Sequence, residues 1–197
     1  MASPGVAGCF GKLRCNGDFV TRRLPARFVD PWDAMLQAGL LAGRAARGRA
    51  WLDAYLTAPL WCFAIGGGVL GESGWAGVLM PSIDSAGRYF PLTIAAPVEP
   101  HPWPFWGAHA DAWFGRCGAL ALATLDKHAR LVDFDAGLLA LSLSLEDDAN
   151  GVSMPSHAAA SETSVWWHGE TVRTSAGLPD AAFVAALFDD RADDRAD

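Results

Sequence analysis

Two glycine-rich stretches are the first places where this sequence could hold a phosphate. Gly8–Lys12 resembles a P-loop, but that motif needs an earlier glycine and a hydroxyl residue after the lysine, where this chain has Val6 and Leu13. Residues 66–71 fit the dinucleotide pattern GxGxxG. The residues from Trp75 onward predict a strand, however, and not the helix whose N-terminus would hold a pyrophosphate. We therefore predict a hairpin loop there.

Residues that could support catalysis or metal binding are present without the spacing that either needs. The five histidines and four cysteines show no zinc-site pattern, and no serine lies in a GxSxG elbow. His168 and Glu170 are the best pair for proton transfer, yet their position at a predicted turn favours a structural role. We expect a protein that is not an enzyme and has no catalytic residues, no cofactor and no metal. A site assembled across the fold would still leave no local pattern.

Polar side chains gather at the ends of two predicted strands. One interpretation is turn chemistry with a structural Asp–Arg pair. If the two elbows converge, they instead form a patch that binds a partner, ringed by Phe19, Tyr89 and Phe90. A third interpretation is an enzyme of unknown reaction with its site there. The residues concerned are Asn16, Asp18 and Arg22 in the first elbow and Ser82, Asp84 and Arg88 in the last hairpin.

A central run of apolar segments predicts a sheet; the first elbow precedes this run, and the last hairpin lies inside it. Residues 60–65, 75–80 and 89–96 are short apolar or aromatic runs, and glycine-rich turns separate them. Such segments are typical of neighbouring antiparallel strands, since glycine supplies the positive φ that tight turns need. We predict a three-stranded antiparallel meander at the centre of the domain.

The preceding residues predict two short strands and a helix. Residues 6–13 form the first strand, Asn16 begins a turn, and Phe19 opens the second strand. The helix start combines Asp30 as N-cap with Pro31 at the first helical position. Gly39 and Gly43 would let this helix lie close to the sheet. A second helical piece covers residues 51–56.

The residues after the meander predict further helices and one more hairpin. Helices are expected over 105–128, over 134–145 with a break near Ser144, and after Gly177; strands are expected over 164–168 and 171–174. Over part of 134–145 the leucines also occur at every second position, a pattern that fits a strand as an alternative. Hairpins at the centre, and not βαβ units, predict an α+β fold with a mostly antiparallel sheet covered by helices. We expect one domain over 1–188 and a disordered acidic tail over 189–197.

Composition narrows the classes of partner. The formal charge of −7 disfavours nucleic acid, whose binders carry a basic face. No apolar run is long enough for a membrane helix, so no membrane insertion is expected. The start of the chain lacks a signal peptide, which predicts a cytoplasmic protein with reduced, buried cysteines. The basic residues of 1–49 indicate either a solvated face or a patch for an acidic or phosphorylated partner.

Several motifs in a fixed order resemble one known family. The pattern joins Gly11-Lys12-Leu13, Gly17-Asp18-Phe19-Val20, Pro31-Trp32-Asp33, the run from Trp75 to Ser82, and Gly87-Arg88-Tyr89-Phe90-Pro91-Leu92. It resembles the TagF (ImpM) proteins associated with bacterial type VI secretion. The resemblance is strongest over residues 6–98 and continues more weakly to the last helix. Arg14-Cys15 departs from the proline and small residue expected in the first elbow.

The resemblance implies a fold and a role, and it supplies no catalytic residues. The implied fold is an α/β/α sandwich around a mainly antiparallel sheet, longin- or profilin-like. The implied role is that of a cytoplasmic accessory protein that represses type VI secretion post-translationally and contacts its forkhead-associated scaffold protein. A longin-like scaffold that forms a homodimer through exposed tryptophans is the remaining alternative.

Overall fold

The fold is described by a computed structural model that covers residues 5–98, 107–141 and 162–189. Within these ranges the chain forms strands and helices in mixed order. The strands are β1 (Gly8–Lys12), β2 (Phe19–Arg22), β3 (Trp61–Ile65), β4 (Gly74–Met80), β5 (Leu92–Val98), β6 (Thr163–His168) and β7 (Thr171–Ala176). The helices are α1 (Ala26–Arg47), α2 (Trp51–Thr57), α3 (Gly107–Ala123), α4 (Leu131–Ala140) and α5 (Ala181–Leu187).

All strands join one antiparallel sheet in the order β2-β1-β5-β4-β3-β6-β7. The predicted meander is confirmed, because β4 pairs with β3 on one side and β5 on the other. Residues 66–73 connect β3 to β4, so the stretch 66–71 belongs to the hairpin connection that the sequence predicts. The last predicted hairpin is also confirmed as β6 and β7.

The sheet is covered by helices on both faces. Trp75 and Leu79 of β4 belong to the core formed with α1, α2 and α5. Val78 and Met80, one residue out of phase, belong to the core formed with α3 and α4. The architecture is therefore an α+β sandwich of α/β/α layers, as the sequence predicts. Its comparison with longin or profilin domains stays a prediction.

The predicted start of the first helix is wrong by one turn. α1 begins at Ala26, and the N–H groups of Phe28 and Val29 donate to the carbonyl of Pro25 at 2.9 and 3.0 Å. Pro31 consequently lies inside the helix. Phe28 is fully buried, with its ring centroid 4.6 Å from that of Trp75. Burial of this side chain stabilises the extra turn and outweighs the local capping signal.

The glycines of α1 approach another helix and not the sheet. A Cβ on Gly39 would lie 2.2 Å from Cγ1 of Val184 in α5, and one on Gly43 would lie 3.1 Å from Nε1 of Trp51 in α2 and 3.7 Å from Cβ of Ala185 in α5. The periodicity of the helix alone does not indicate which neighbouring element the small residues meet. They allow α1 and α5 to pack closely over the same face of the sheet.

Several predicted boundaries move or lie outside the described residues. The third strand of the meander begins at Leu92, because the preceding residues form the polar turn described below. α4 ends at Ala140, so the predicted break near Ser144 falls outside the described ranges. Of the predicted tail over 189–197, Asp189 lies in a turn and pairs with Arg47. Residues 190–197 lie outside the described ranges. No helix in the described ranges is both long and apolar enough to span a bilayer.

Replacing Pro31 by alanine tests the observed start of α1. Alanine at this position restores the N–H that donates to the carbonyl of Arg27 and removes the clash of the proline ring. We expect Pro31→Ala to raise the free energy of unfolding by about 1–3 kcal/mol in urea titrations. A helix starting at Asp30 would place Pro31 at its favoured first position, and the same variant would then be neutral or destabilising.

Candidate functional site

The two polar elbows meet at one end of the sheet. The backbone N–H of Ser85 donates to the carbonyl of Asn16 at 3.0 Å. The guanidinium of Arg88 donates to the carbonyl of Gly17. These contacts join the turn after β1 to the turn before β5, strands that are neighbours in the sheet. Pairing of β1 with β5 thus positions two segments that are far apart in sequence.

Asp84 is the centre of this junction. Its side chain is fully buried, and one carboxylate oxygen accepts hydrogen bonds from Nζ of Lys12 at 2.5 Å and Nε of Arg88 at 2.7 Å. The other oxygen accepts from the N–H groups of Ala86 at 2.9 Å and Arg88 at 2.8 Å. A carboxylate can be buried at tolerable cost only with such a complete set of partners.

The electrostatics of Asp84 follow from these partners. Burial alone raises the pKa of a carboxyl, because it disfavours the charged form. Here the hydrogen bonds from Lys12 and Arg88 outweigh burial and hold the pKa of Asp84 well below its usual range. Asp84 therefore stays ionised at neutral pH and has its oxygens fully engaged.

A second set of hydrogen bonds anchors the same turn to the core. Oγ of Ser82 donates to the carbonyl of Lys12 at 2.8 Å. The hydroxyl of Tyr55 in α2 donates to the carbonyl of Ser82 and accepts from its N–H, each at 2.9 Å. Burial raises the pKa of Tyr55, so its phenol stays protonated. The turn is held by β1 and α2 together.

An aromatic rim borders the polar junction. The ring of Phe19 stacks on Phe10 with centroids 5.7 Å apart and meets the edge of Phe90 at 4.8 Å. Phe19 is still 42% exposed, whereas Phe10 and Phe90 are buried. The ammonium of Lys12 lies 4.9 Å from the Phe19 centroid. Tyr89, also predicted in this ring, packs against Tyr55 and is half-buried. Phe19 thus presents an anchored aromatic surface to solvent.

Five of the six predicted residues come together here, and Arg22 does not. Asn16 donates to the carbonyl of Asp18 at 2.8 Å, which shapes the first elbow, and Asp18 is exposed. Ser82 and Asp84 are buried, whereas the side chain of Arg88 is 57% exposed. The remaining prediction needs correction, because Arg22 lies on the opposite face of the sheet. It shares that face with Val20, and its Nε is 3.9 Å from Asp135.

Lys12 is the residue of this junction that the predicted set does not contain. It lies at the end of β1, where all five residues are buried. Local motifs place Lys12 in a P-loop-like stretch and in the Gly11-Lys12-Leu13 motif, and neither points to its partner Asp84, 72 residues away. A lysine inside an otherwise apolar strand is itself a signal, since lysine is rarely buried without a paired acid.

The cysteines differ in exposure, contrary to the expectation that they are buried. Cys15 in the first elbow is exposed, while Cys9 and Cys117 are buried. Burial raises the pKa of the Cys9 thiol to about 12 and also raises that of Cys117. These two thiols are therefore protonated and unreactive at neutral pH. Within the described parts of the chain, no group of three His, Cys, Asp or Glu side chains is arranged to hold a metal ion.

Residues 8–141 match the family model of the TagF N-terminal domain, described as type VI secretion system-associated. The chain belongs to this family. The matched range contains β1 to β5 and both elbows, so every residue of the junction lies inside the TagF domain. The family resemblance derived from the sequence motifs is therefore confirmed.

A solved structure extends this similarity over most of the TagF chain. The chain is similar to the crystal structure of PA0076 from Pseudomonas aeruginosa PAO1, with 34% sequence identity and a TM-score of 0.77. The alignment covers 92% of this chain and 93% of that one. No curated protein sequence matches the chain. The TagF-type fold thus includes the β6–β7 hairpin and α5, beyond the residues that the family model matches.

Removing Asp84 tests how far the junction depends on the buried charge pair. Asp84→Ala leaves the ammonium of Lys12 buried without its acid, so we expect a loss of about 3–5 kcal/mol in the free energy of unfolding. The double variant Lys12→Met with Asp84→Leu should lose less, because no charge is left unpaired. Asp53→Ala, at an exposed position in α2, is the control and should change stability by less than about 0.5 kcal/mol. If the double variant has a lower free energy of unfolding than Asp84→Ala, the junction does not depend on pairing of the buried Lys12 and Asp84 charges.

The lowered pKa of Asp84 predicts a dependence of stability on pH. A carboxyl whose pKa is lower in the folded than in the unfolded chain stabilises the fold fully above about pH 4. That stabilisation is lost as pH falls further, when the unfolded chain takes up the proton first. Urea titrations between neutral and acidic pH should show this loss in the natural sequence and a flatter profile for Asp84→Asn. If stability falls with pH equally in the natural sequence and in Asp84→Asn, protonation of Asp84 is not the cause of the loss.

Proposed function

We propose that this TagF-family protein is a non-enzymatic regulator of type VI secretion that acts by occupying the surface of a partner. The proposed partner is the forkhead-associated scaffold protein of the system, and the proposed effect is post-translational repression in the cytoplasm. Family membership supports the link to type VI secretion. The convergence of the two elbows into one rigid junction is the observation that supports a contact surface.

The exposed part of the junction has the composition of a binding surface. Asp18, Phe19 and Arg88 are exposed, whereas Lys12 and Asp84 beneath them are buried. Aromatic and arginine side chains are over-represented among residues that dominate binding energies. Because the buried pair fixes the turn, little side-chain and loop entropy remains to be lost on association. We assign contact to the exposed residues and positioning to Lys12, Ser82 and Asp84.

The same geometry favours contact over turnover. A general base needs a free lone pair and a pKa near the working pH. Asp84 has neither, since both oxygens accept two hydrogen bonds and its pKa is lowered. The exposed acid of the junction, Asp18, accepts from the N–H of Phe19 at 2.8 Å. Asp84 therefore serves the structure of the junction.

Binding to the purified scaffold protein tests the proposal. Titration calorimetry with phosphorylated and unphosphorylated scaffold should show binding of at least one form. Asp18→Lys places the opposite charge within the exposed surface and should weaken that binding by about tenfold or more. Its matched control, Asp53→Lys, makes the same charge change at an exposed site in α2 and should bind normally.

Two outcomes would contradict the proposal. If the natural sequence binds neither form of the scaffold, the partner is wrong. If Asp18→Lys and Asp53→Lys weaken binding equally, net charge accounts for the effect and the junction is not the contact surface. Thermal denaturation of both variants shows that any loss is not caused by unfolding.

A further inference from the structure

Three arginines form a positive surface where α1 ends. Arg44 and Arg47 lie in the last turn of α1, and Arg49 lies in the short helical turn that follows. All three residues are exposed. Asp53 is the one acidic residue between positions 38 and 57 of the sequence. We call the three arginines the arginine surface.

Aromatic side chains of α2 hold part of this surface in place. The guanidinium of Arg44 lies 4.3 Å from the centroid of the Trp51 ring. A cation in this position is attracted by the negative face of the ring. Trp51 is itself buried and stacks on Tyr55 with centroids 5.1 Å apart. Arg44 is therefore anchored on the core while it stays exposed to solvent.

The chain leaves the core beside this surface after α5. Close packing of α1 on α5 brings the ends of these two helices together. Phe188 is buried, and its ring centroid lies 5.3 Å from that of Tyr55. The next residue, Asp189, pairs with Arg47. The last described residue of the chain thus already places one carboxylate on the arginine surface.

The residues that follow Asp189 carry the complementary charge. Residues 190–197, which we call the acidic segment, contain four aspartates and two arginines. The aspartates are Asp190, Asp193, Asp194 and Asp197. An extended chain covers at most about 3.3–3.6 Å per residue, so Asp193 can reach about 13–14 Å from Asp189. Arg44 lies on the same side of α1 as Arg47 and only about 4.5 Å along the helix axis. The acidic segment is therefore long enough to reach the rest of the arginine surface.

We propose that the arginine surface is the docking site of the acidic segment of the same chain, which covers it against acidic segments of other proteins. Charge complementarity supports this occupant. Continuity supports it too, because the segment begins one residue after a carboxylate that already pairs there. Single exposed ion pairs are weak. Tethering compensates, since a short linker holds the segment at an effective concentration on the order of millimolar. A free acidic peptide of equal intrinsic affinity competes poorly at lower concentrations.

The arginine surface adjoins the polar junction but is a separate site. Trp51, beneath Arg44, meets the ring of Tyr89 edge-on at 6.4 Å, and Tyr89 belongs to the turn that carries Arg88. None of the three arginines belongs to the junction itself. The tests below use only the full chain and a synthetic peptide, so this proposal and the binding of the scaffold protein can fail separately.

Cross-linking tests the position of the acidic segment. Arg49→Lys supplies an amine that a carbodiimide can join to a carboxylate, and mass spectrometry of the digested monomer identifies the linked residue. We expect links to the acidic segment at low ionic strength and at least about fivefold fewer at about 0.5 M salt, because salt screens exposed charges. Arg116→Lys is the matched control at an exposed position of α3, on the other face of the sheet, and should give no such link.

A peptide tests whether the acidic segment covers the surface. The probe is a fluorescein-labelled, end-capped hexa-aspartate peptide, titrated with the full chain at low ionic strength and followed by fluorescence anisotropy. Changing the four aspartates of the acidic segment to asparagine should tighten binding by about fivefold or more, because the tethered competitor is lost. Adding Arg44→Glu and Arg49→Glu to that variant should remove the gain. Arg49→Glu alone should reduce it while leaving Arg44 on Trp51.

A control variant separates local cover from net charge. It neutralises four acids at other exposed positions and should tighten peptide binding by less than about twofold, because exposed charges at a distance are screened. The substitutions are Asp30→Asn, Glu72→Gln, Asp126→Asn and Glu170→Gln. Thermal denaturation checks that every variant is folded.

Three results would overturn the proposal. They are the absence of links from Arg49→Lys to the acidic segment, a gain in peptide binding no larger than that of the control variant, and a gain that survives the arginine substitutions. Links found only in a cross-linked dimer would also overturn it, because the segment of a second copy would then occupy the surface.

Discussion

Burial of the central strand on both faces is the constraint on which this fold depends. All seven residues of β4 are buried, so apolar cover is required above and below the sheet. Helices from before and after the meander supply it: α1, α2 and α5 on one face and α3 and α4 on the other. Removing the first layer would expose large aromatic side chains such as Trp75 to water, and removing the second would expose Val78 and Met80. In the described part of the chain, the two-sided cover removes most of both sheet faces from contact with other molecules and leaves the ends and edges of the sheet.

The polar junction is a consequence of that arrangement. β1 pairs with β5 inside the covered sheet, so its terminal lysine is buried and must meet a carboxylate. Asp84 pairs with this lysine and also accepts hydrogen bonds from the side chain of Arg88 and from two backbone N–H groups. Stability and surface shape are thus determined by the same atoms. Exposed residues around them, Asp18 and Phe19 among them, are held in place by a charge pair that solvent does not reach.

The sequence predicts those parts of the structure that local patterns determine. The meander and the β6–β7 hairpin follow from apolar runs and turn residues, and the ordered motifs identify the TagF family. The start of α1 is not predictable in this way, because burial of Phe28 against Trp75 overrides the Asp30-Pro31 cap signal. Arg22 is misplaced because its face depends on strand phase, and Lys12 is overlooked because its acid comes from a distant turn.

The sequence separation of Lys12 and Asp84 has a consequence for synthesis. The two residues are 72 positions apart, and ribosomes add about 5–20 residues per second, so the lysine precedes its acid by roughly 4–14 s. Until β5 has been made, β2 is the only strand with which β1 pairs in the described sheet, and a lone hairpin is marginal in water. The meander closes from nearby segments once β5 has been made. The first two strands can therefore join the meander only after a much later segment has supplied β5 and Asp84, and the buried charge pair can form only at that step.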